Sequence, residues 1–365
     1  MSRNIPGSWD IELVGMPDFR RAIERVYAWF EQAVVDRPPI RFSMHNAEYS
    51  RSVAAADRHW ASLESRWFDA EFQVESFLDS IRGQRFLAET FPVFWPNLGP
   101  GVYAAFHGTE LVFGEVTSWT VPQVREWSDI ATIRFDPASP YFHKIDELTA
   151  LALERCPGRY LVGYTDLHGG LDCVADWRDP QQLCLDLADA PERVHELVCL
   201  AEEHFLDVYD HYDSVLKAHR QPSSTWMGIP SFGRLHIPSA DFAALVSPRV
   251  IDEFYLPTLQ REVAAMTHNI YHLDGKGTLR HLDRILEVPE IQAIQWVQGM
   301  GKDLPILQWI PLLQRIRAAG KSLVIDLALD ELEGFIAAME PEGVFLCIAA
   351  DPAIQPDVIR RVEKW

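Results

Sequence analysis

The chain has 365 residues, 48% hydrophobic and 24% charged, with 20 Gly and 24 Pro, which excludes bulk disorder and leaves ample material for a large core. Its 53 acidic against 33 basic residues give a formal charge of −20 with no Lys/Arg cluster, which argues against nucleic acid or anionic membranes as partners. No apolar run reaches membrane-spanning length and the first residues lack a signal-peptide core, so the sequence predicts a cytoplasmic protein; five widely spaced cysteines without a Cys-x-x-Cys pair predict no disulfide framework.

In chain order, residues 17–36 carry a helical pattern placed ahead of the first strand. Strand candidates follow at 40–44, 92–95, 160–165, 225–229, 270–273, 291–297, 322–327 and 344–349. Between them lie amphipathic helices. One opens at Asp189-Ala-Pro-Glu and repeats Val194, Leu197, Val198, Ala201, Phe205, Val208, Tyr209 and Tyr212 at helical spacing, with Glu192, Glu196, Glu203 and Asp207 outward. A second starts at Ser247-Pro248 with Pro257 as a kink, and a third, near 331–339, bridges the last two strands. Strand–helix alternation predicts an α/β protein with parallel strands and right-handed crossovers, and eight strands predict closure into a TIM (β/α)8 barrel. Residues 1–38 then form an N-terminal helical extension and 39–365 the barrel, with 97–159, rich in Gly and Pro turns, a lid-like insertion over its mouth. The absence of Gly-x-Gly-x-x-Gly after the first strand disfavours a dinucleotide-binding domain.

Active sites of such barrels lie at the C-terminal ends of the strands. Those ends collect His45, Trp95 and Asn97, Asp166 and His168, Trp226, His272 and Asp274, Gln295, Asp326 and Cys347. Alternate residues of a strand share a face, so His272 and Asp274 point to one side, and Cys347 joins them if Phe345, Cys347 and Ala349 face inward. Imidazole, carboxylate and thiolate suit Zn²⁺ with one position open for substrate; the same residues also fit a hydrogen-bonded His-Asp pair beside an inert thiol. Asp166, His168 and Asp172, in a Gly-rich turn, suit acid–base chemistry or substrate binding, although Asp often caps such turns. His236, in a long loop, is a further catalytic candidate. Trp95, Trp119 and Trp226 are candidate walls of the pocket, with His45, Asn97, Asp172, Gln295 and Asp326 as its polar lining. Ser231 has no Gly-x-Ser-x-Gly elbow, so a serine hydrolase finds no support.

Pro96-Asn-Leu-Gly-Pro-Gly101, the run from Leu245 to Pro257, His272-Leu-Asp-Gly275 and the run from Leu312 to Lys321 together resemble the uroporphyrinogen decarboxylase-like superfamily over about residues 38–365. That superfamily also contains corrinoid- and thiol-dependent methyltransferases, and the resemblance implies a (β/α)8 barrel with its pocket at the strand ends. Where decarboxylases resemble one another in substrate-binding arginines after the first strand, this chain has Met44 and Glu48, so a polycarboxylate tetrapyrrole would meet a carboxylate. The methyltransferase branch looks like His-x-Cys on the fifth strand and Cys on the eighth, binding zinc that activates a thiol. This chain matches at His272 and Cys347 and has Asp274 for the middle Cys. The resemblance therefore implies a zinc-assisted methyltransferase acting on a small substrate or methyl carrier. The alternatives are a metal-free decarboxylase or lyase and a non-catalytic barrel binding a corrinoid or a partner protein. No Asp-x-His-x-x-Gly run anchors a corrinoid, so one would arrive on a separate corrinoid protein; a homodimer is a further expectation.

Overall fold

The computed structural model describes residues 5–43 and 58–365. Among them lie strands β1 (Ile40–Phe42), β2 (Val93–Phe94), β3 (Glu110–Phe113), β4 (Ser118–Val121), β5 (Leu161–Val162), β6 (Leu235–His236), β7 (His268–Asp274), β8 (Ala293–Val297), β9 (Ser322–Leu327) and β10 (Val344–Ile348). Six form one parallel sheet in the order β1-β10-β9-β8-β7-β6, curled into half a barrel. β2 and β5 pair in parallel as a separate piece, and β3 and β4 form an antiparallel hairpin.

The α/β class agrees with the strand–helix alternation, but among the described residues strand pairing does not close a continuous eight-stranded ring. Scattered hydrogen bonds outside any strand ladder span the two gaps. Glu89 N–H donates to the Ile40 carbonyl and Phe42 N–H to Thr90 Oγ1 between β1 and the approach to β2. Tyr164 N–H donates to the Ser224 carbonyl and Leu235 N–H to Ser223 Oγ between β5 and β6. Seven of the eight expected strands overlap an observed one. The exception is 225–229, where Gly228, at φ 66°, closes a turn on the Thr225 carbonyl, and β6 supplies the neighbour of β7 instead.

The helix Phe19–Phe30 buries Ala22, Ile23, Val26, Trp29 and Phe30 and closes the N-terminal end of the sheet. Its Trp29 Nε1–H donates to the Leu323 carbonyl at 3.0 Å, Ser322 Oγ–H donates to the Trp29 carbonyl at 2.6 Å, and Trp29 packs edge-on against Phe345. Fully buried Glu89 ties the helix to β1: it accepts from Arg25 and Arg37 and from Ile40 N–H at 2.7 Å. With both oxygens satisfied, this charge is tolerated inside.

The amphipathic pattern from 189 onward is carried by two helices, Pro191–Glu203 and Phe205–Ala218, with Glu192, Glu196, Glu203 and Asp207 exposed as expected. After Ser247 the chain runs through Pro248–Val250 and a wider π turn, Ile251–Tyr255, before the helix Leu256–Ala264. Pro257 lacks an N–H to donate, and the π turn is where the ladder adjusts to it. Within 97–159 stand the β3–β4 hairpin and the helix Pro140–Arg155, which precedes β5. All five cysteines are free, and among the described residues no helix is long and apolar enough to cross a membrane.

Candidate functional site

Strand register decides what faces the hollow of the half-barrel. Arg41 is paired with Cys347 and Cys347 with Asp326, while His272 is paired with Gln295 and Gln295 with Val324. Alternation then puts Arg41, His272, Asp274, Gln295, Asp326 and Cys347 on one face. That face is open to solvent: Asp326 is exposed although Ile325 and Leu327 on either side are buried and β9 is flanked by strands on both edges. Helices cover the other face. The polar residues lie toward the strand ends, and the Trp29–Phe345 contact fills the opposite end.

At the end of β7 three donors converge. Asp241, His272 and Asp274 bring their ligand atoms within 4.8 Å of one another, close enough for a metal ion to sit among them. Asp241 and Asp274 are exposed and His272 is half-buried. His272 Nδ1 lies 2.6 Å from Gln295 Oε1, so Nδ1–H donates there and the Nε2 lone pair is left for a cation. Trp226 packs edge-on against the His272 ring at 5.3 Å between centroids and fixes its plane. Asp241 opens the short helix Asp241–Leu245; its N–H and that of Phe242 donate to Asp172, whose carboxylate also accepts from Ser239 Oγ. Burial and then Asp172 raise the Asp241 carboxyl, against the pull of His272.

Two oxygens and one nitrogen make a harder donor set than the thiolate-containing one expected from the sequence. Cys347 is not among the converging donors. It sits on β10, three strands from β7, on the order of 14 Å along the sheet. Burial pushes its thiol up to about 11, with the Arg41 guanidinium beside it pulling the other way. Asp241 takes the third position. Sequence reasoning missed it because an Asp opening a short helix reads as a cap, and only the fold brings the loop after β6 to the end of β7.

His168 and Asp166 form a second feature, with Nε2 to Oδ1 at 3.1 Å. Burial opposes charge on His168, but Asp166, then Asp172 and Asp241, outweigh it and lift the imidazole to about 10. At neutral pH this side chain is a held cation, not a base. The turn after it runs through Gly170 at φ 52°, and a Cβ on Gly169 would fall 2.5 Å from Glu262 Oε1. Two carboxyl groups lie behind the turn: Glu202, 6% exposed, accepts from Gly170 N–H at 2.9 Å, and Glu262 is 4% exposed. Burial and mutual repulsion push Glu202 up to about 9, and burial foremost pushes Glu262 up to about 7. His236 Nε2 is 3.5 Å from Glu262, and its ring lies among Phe205 and Tyr209. Burial lowers it to about 3, so His236 is a neutral, buried neighbour of the acid pair and does not line the hollow as a catalytic residue.

The remaining candidates scatter. Trp95 and Asn97 line a cavity of about 610 Å³ together with Trp60, Trp67 and Phe94, and Asn97 Oδ1 accepts from Gly99 N–H. Trp119 stands 54% exposed on the β3–β4 hairpin, against Gly114, and not beside Trp226. Asp172 acts as the cap of Asp241–Leu245 described above. His45 lies outside the described residues.

The fold is similar to that of a methyltransferase from Methanosarcina mazei, with a TM-score of 0.60 over 90% of this chain and 92% of that one at 12% identity. No protein-family model and no curated protein matches the sequence.

Proposed function

We propose that this chain is a metal-assisted methyltransferase of the uroporphyrinogen decarboxylase-like type, acting on a small substrate in the hollow of the half-barrel. The observation that carries the reading is the convergence of Asp241, His272 and Asp274 at the end of β7; the likeness in fold to a methyltransferase supports the reaction class. A metal held there would act as a Lewis acid on a bound oxygen, nitrogen or sulfur of the substrate. Zn²⁺ is one candidate, and a set without thiolate also suits Mn²⁺, Co²⁺ or Fe²⁺. The chain's own residues prepare that position. Gln295 fixes the tautomer of His272, Trp226 fixes its ring plane, and Asp172 holds the helix start that presents Asp241. The protonated His168, held by Asp166, supplies positive charge for an anionic substrate group.

Metal analysis of the purified full-length protein is expected to give about one equivalent per chain, lost in His272→Ala and in Asp241→Asn but kept in Cys347→Ala. Absence of metal after incubation with Zn²⁺, Mn²⁺, Co²⁺ and Fe²⁺ in turn would remove the reading. The Asp166–His168 pair supports a second reading, a metal-free decarboxylase or lyase. Under it, turnover is indifferent to chelators and collapses in His168→Gln.

A further inference from the structure

We infer that the cavity beside β2 is a second ligand site and that it takes a neutral, flat aromatic molecule carrying a hydrogen-bond acceptor, such as a ring ketone. The inference needs neither a metal at the end of β7 nor methyl transfer, and none of Asp241, His272 and Asp274 lines this cavity.

Its walls come from the helices Leu63–Trp67 and Ala70–Ile81, the end of β2 and the β3–β4 hairpin. Its volume of about 610 Å³ is within the range that holds a drug-sized ligand. Six aromatic side chains line it: Trp60, Trp67, Phe72, Phe77, Phe94 and Trp95. They brace one another, Trp60 tilted on Phe72 at 4.6 Å between centroids and Phe77 edge-on to Phe94 at 5.5 Å. Rings held this way offer faces and edges to another flat ring, and a saturated skeleton of the same size meets them less closely.

The charge of the lining is already balanced. Among the described residues only Arg66 and Glu115 bring charge to it, and they answer each other: Arg66 donates to a Glu115 carboxylate oxygen at 2.6 Å and to the Glu115 carbonyl at 2.8 Å. A charged ligand would therefore be buried without a counterpart. Polar capacity remains at two atoms. Trp60 Nε1–H donates to Asp69 at 3.0 Å and Trp67 Nε1–H to the Gly114 carbonyl at 2.9 Å, but Trp95 Nε1–H has no acceptor. On the helix Ala70–Ile81 the Ser80 hydroxyl donates to the Phe77 carbonyl at 2.6 Å, whereas Ser76, one turn earlier and only 7% exposed, has no partner for its Oγ. Buried N–H and O–H groups are rarely left unpaired, and these two belong to side chains lining one cavity. An indole N–H can only donate and a hydroxyl can donate, so an acceptor on the ligand satisfies what the chain does not.

The test is calorimetric titration of the full-length protein with α-tetralone, a fused aromatic ketone, beside decalone, which keeps the carbonyl and saturates the ring, tetralin, which keeps the ring and drops the carbonyl, and naphthoate, which adds a charge. α-Tetralone is expected to bind, decalone and tetralin about two- to tenfold more weakly, the scale of one lost ring contact or hydrogen bond, and naphthoate not at all. Ser76→Ala should weaken α-tetralone by about two- to tenfold and leave tetralin unchanged, and Trp95→Phe should weaken α-tetralone more than tetralin. Near-ultraviolet circular dichroism verifies that both variants remain folded. Chelator-treated protein should bind α-tetralone as untreated protein does, so failure of the metal reading leaves this inference standing. No binding of α-tetralone, binding of decalone or naphthoate as tight as that of α-tetralone, loss of binding on chelation, or equal losses of α-tetralone and tetralin in folded Ser76→Ala overturns the assignment.

Discussion

His272 shows how much one side chain depends on what stands behind it. Its imidazole is useful to a cation only with the correct nitrogen free, and that choice is made by Gln295 at 2.6 Å. Gln295→Leu removes the acceptor and keeps the bulk, so metal affinity in a competition assay with a chromophoric chelator should fall about 10–100-fold. A Gln295→Glu variant, which restores an acceptor, should recover most of it. His272 and Asp274 were legible in the sequence because alternate strand residues share a face whatever the tertiary structure. Asp241 was not, since its place in the group comes from a loop folding back, and Cys347 was misplaced because facing inward says nothing about which inward neighbour a residue meets.

At the scale of elements, the turn after β5 is supported from behind by acids that burial holds well above the usual carboxylate range. Glu202 and Glu262 stand on the helices Pro191–Glu203 and Leu256–Ala264, and both press against Gly169. Folded, they hold protons to about 9 and about 7, whereas the unfolded chain releases them near 4.5. The folded state therefore binds more protons throughout that window, and stability declines as pH rises through it, being fully present only below 4.5. His168 adds a loss of the same sign between 6.5 and about 10. His236 runs the other way, because the unfolded chain gains its proton below 6.5 and the folded chain only near 3, so its contribution is lost as pH falls across that interval. Urea midpoints should thus fall steadily from pH 6.5 to pH 9.5, and Glu202→Gln should flatten the slope; an unchanged slope in that variant would contradict the buried-acid account. Helix periodicity gave no hint of this pair, since Glu at a boundary between faces reads as solvated. Strand position, by contrast, followed from apolar runs in seven of eight ranges, and the exception is 225–229, where four residues ending in Gly close a turn; the pairing of those strands into six plus two did not follow from the runs.

For the whole molecule, the decisive contact is the one that closes the N-terminal end. Trp29 is fully buried, bonded to Leu323 and packed on Phe345, so Trp29→Ala leaves a cavity and removes a buried hydrogen bond. The cost should be about 3–5 kcal/mol by chemical denaturation, with the metal position, at the other end of the strands, keeping its affinity in the folded fraction. Surface charge has a simpler part: acids such as Glu192, Glu196, Glu203 and Asp207 lie exposed on helices, and a net charge of −20 keeps molecules apart.

The same contact has a temporal side. Trp29 and the carbonyl it bonds are 294 residues apart, and the ribosome makes the helix first and its seat almost last. At about 5–20 residues per second the helix waits on the order of 15–60 s with Trp29 and Phe30 uncovered, so the nascent chain carries an apolar stripe that only its own final strands can hide.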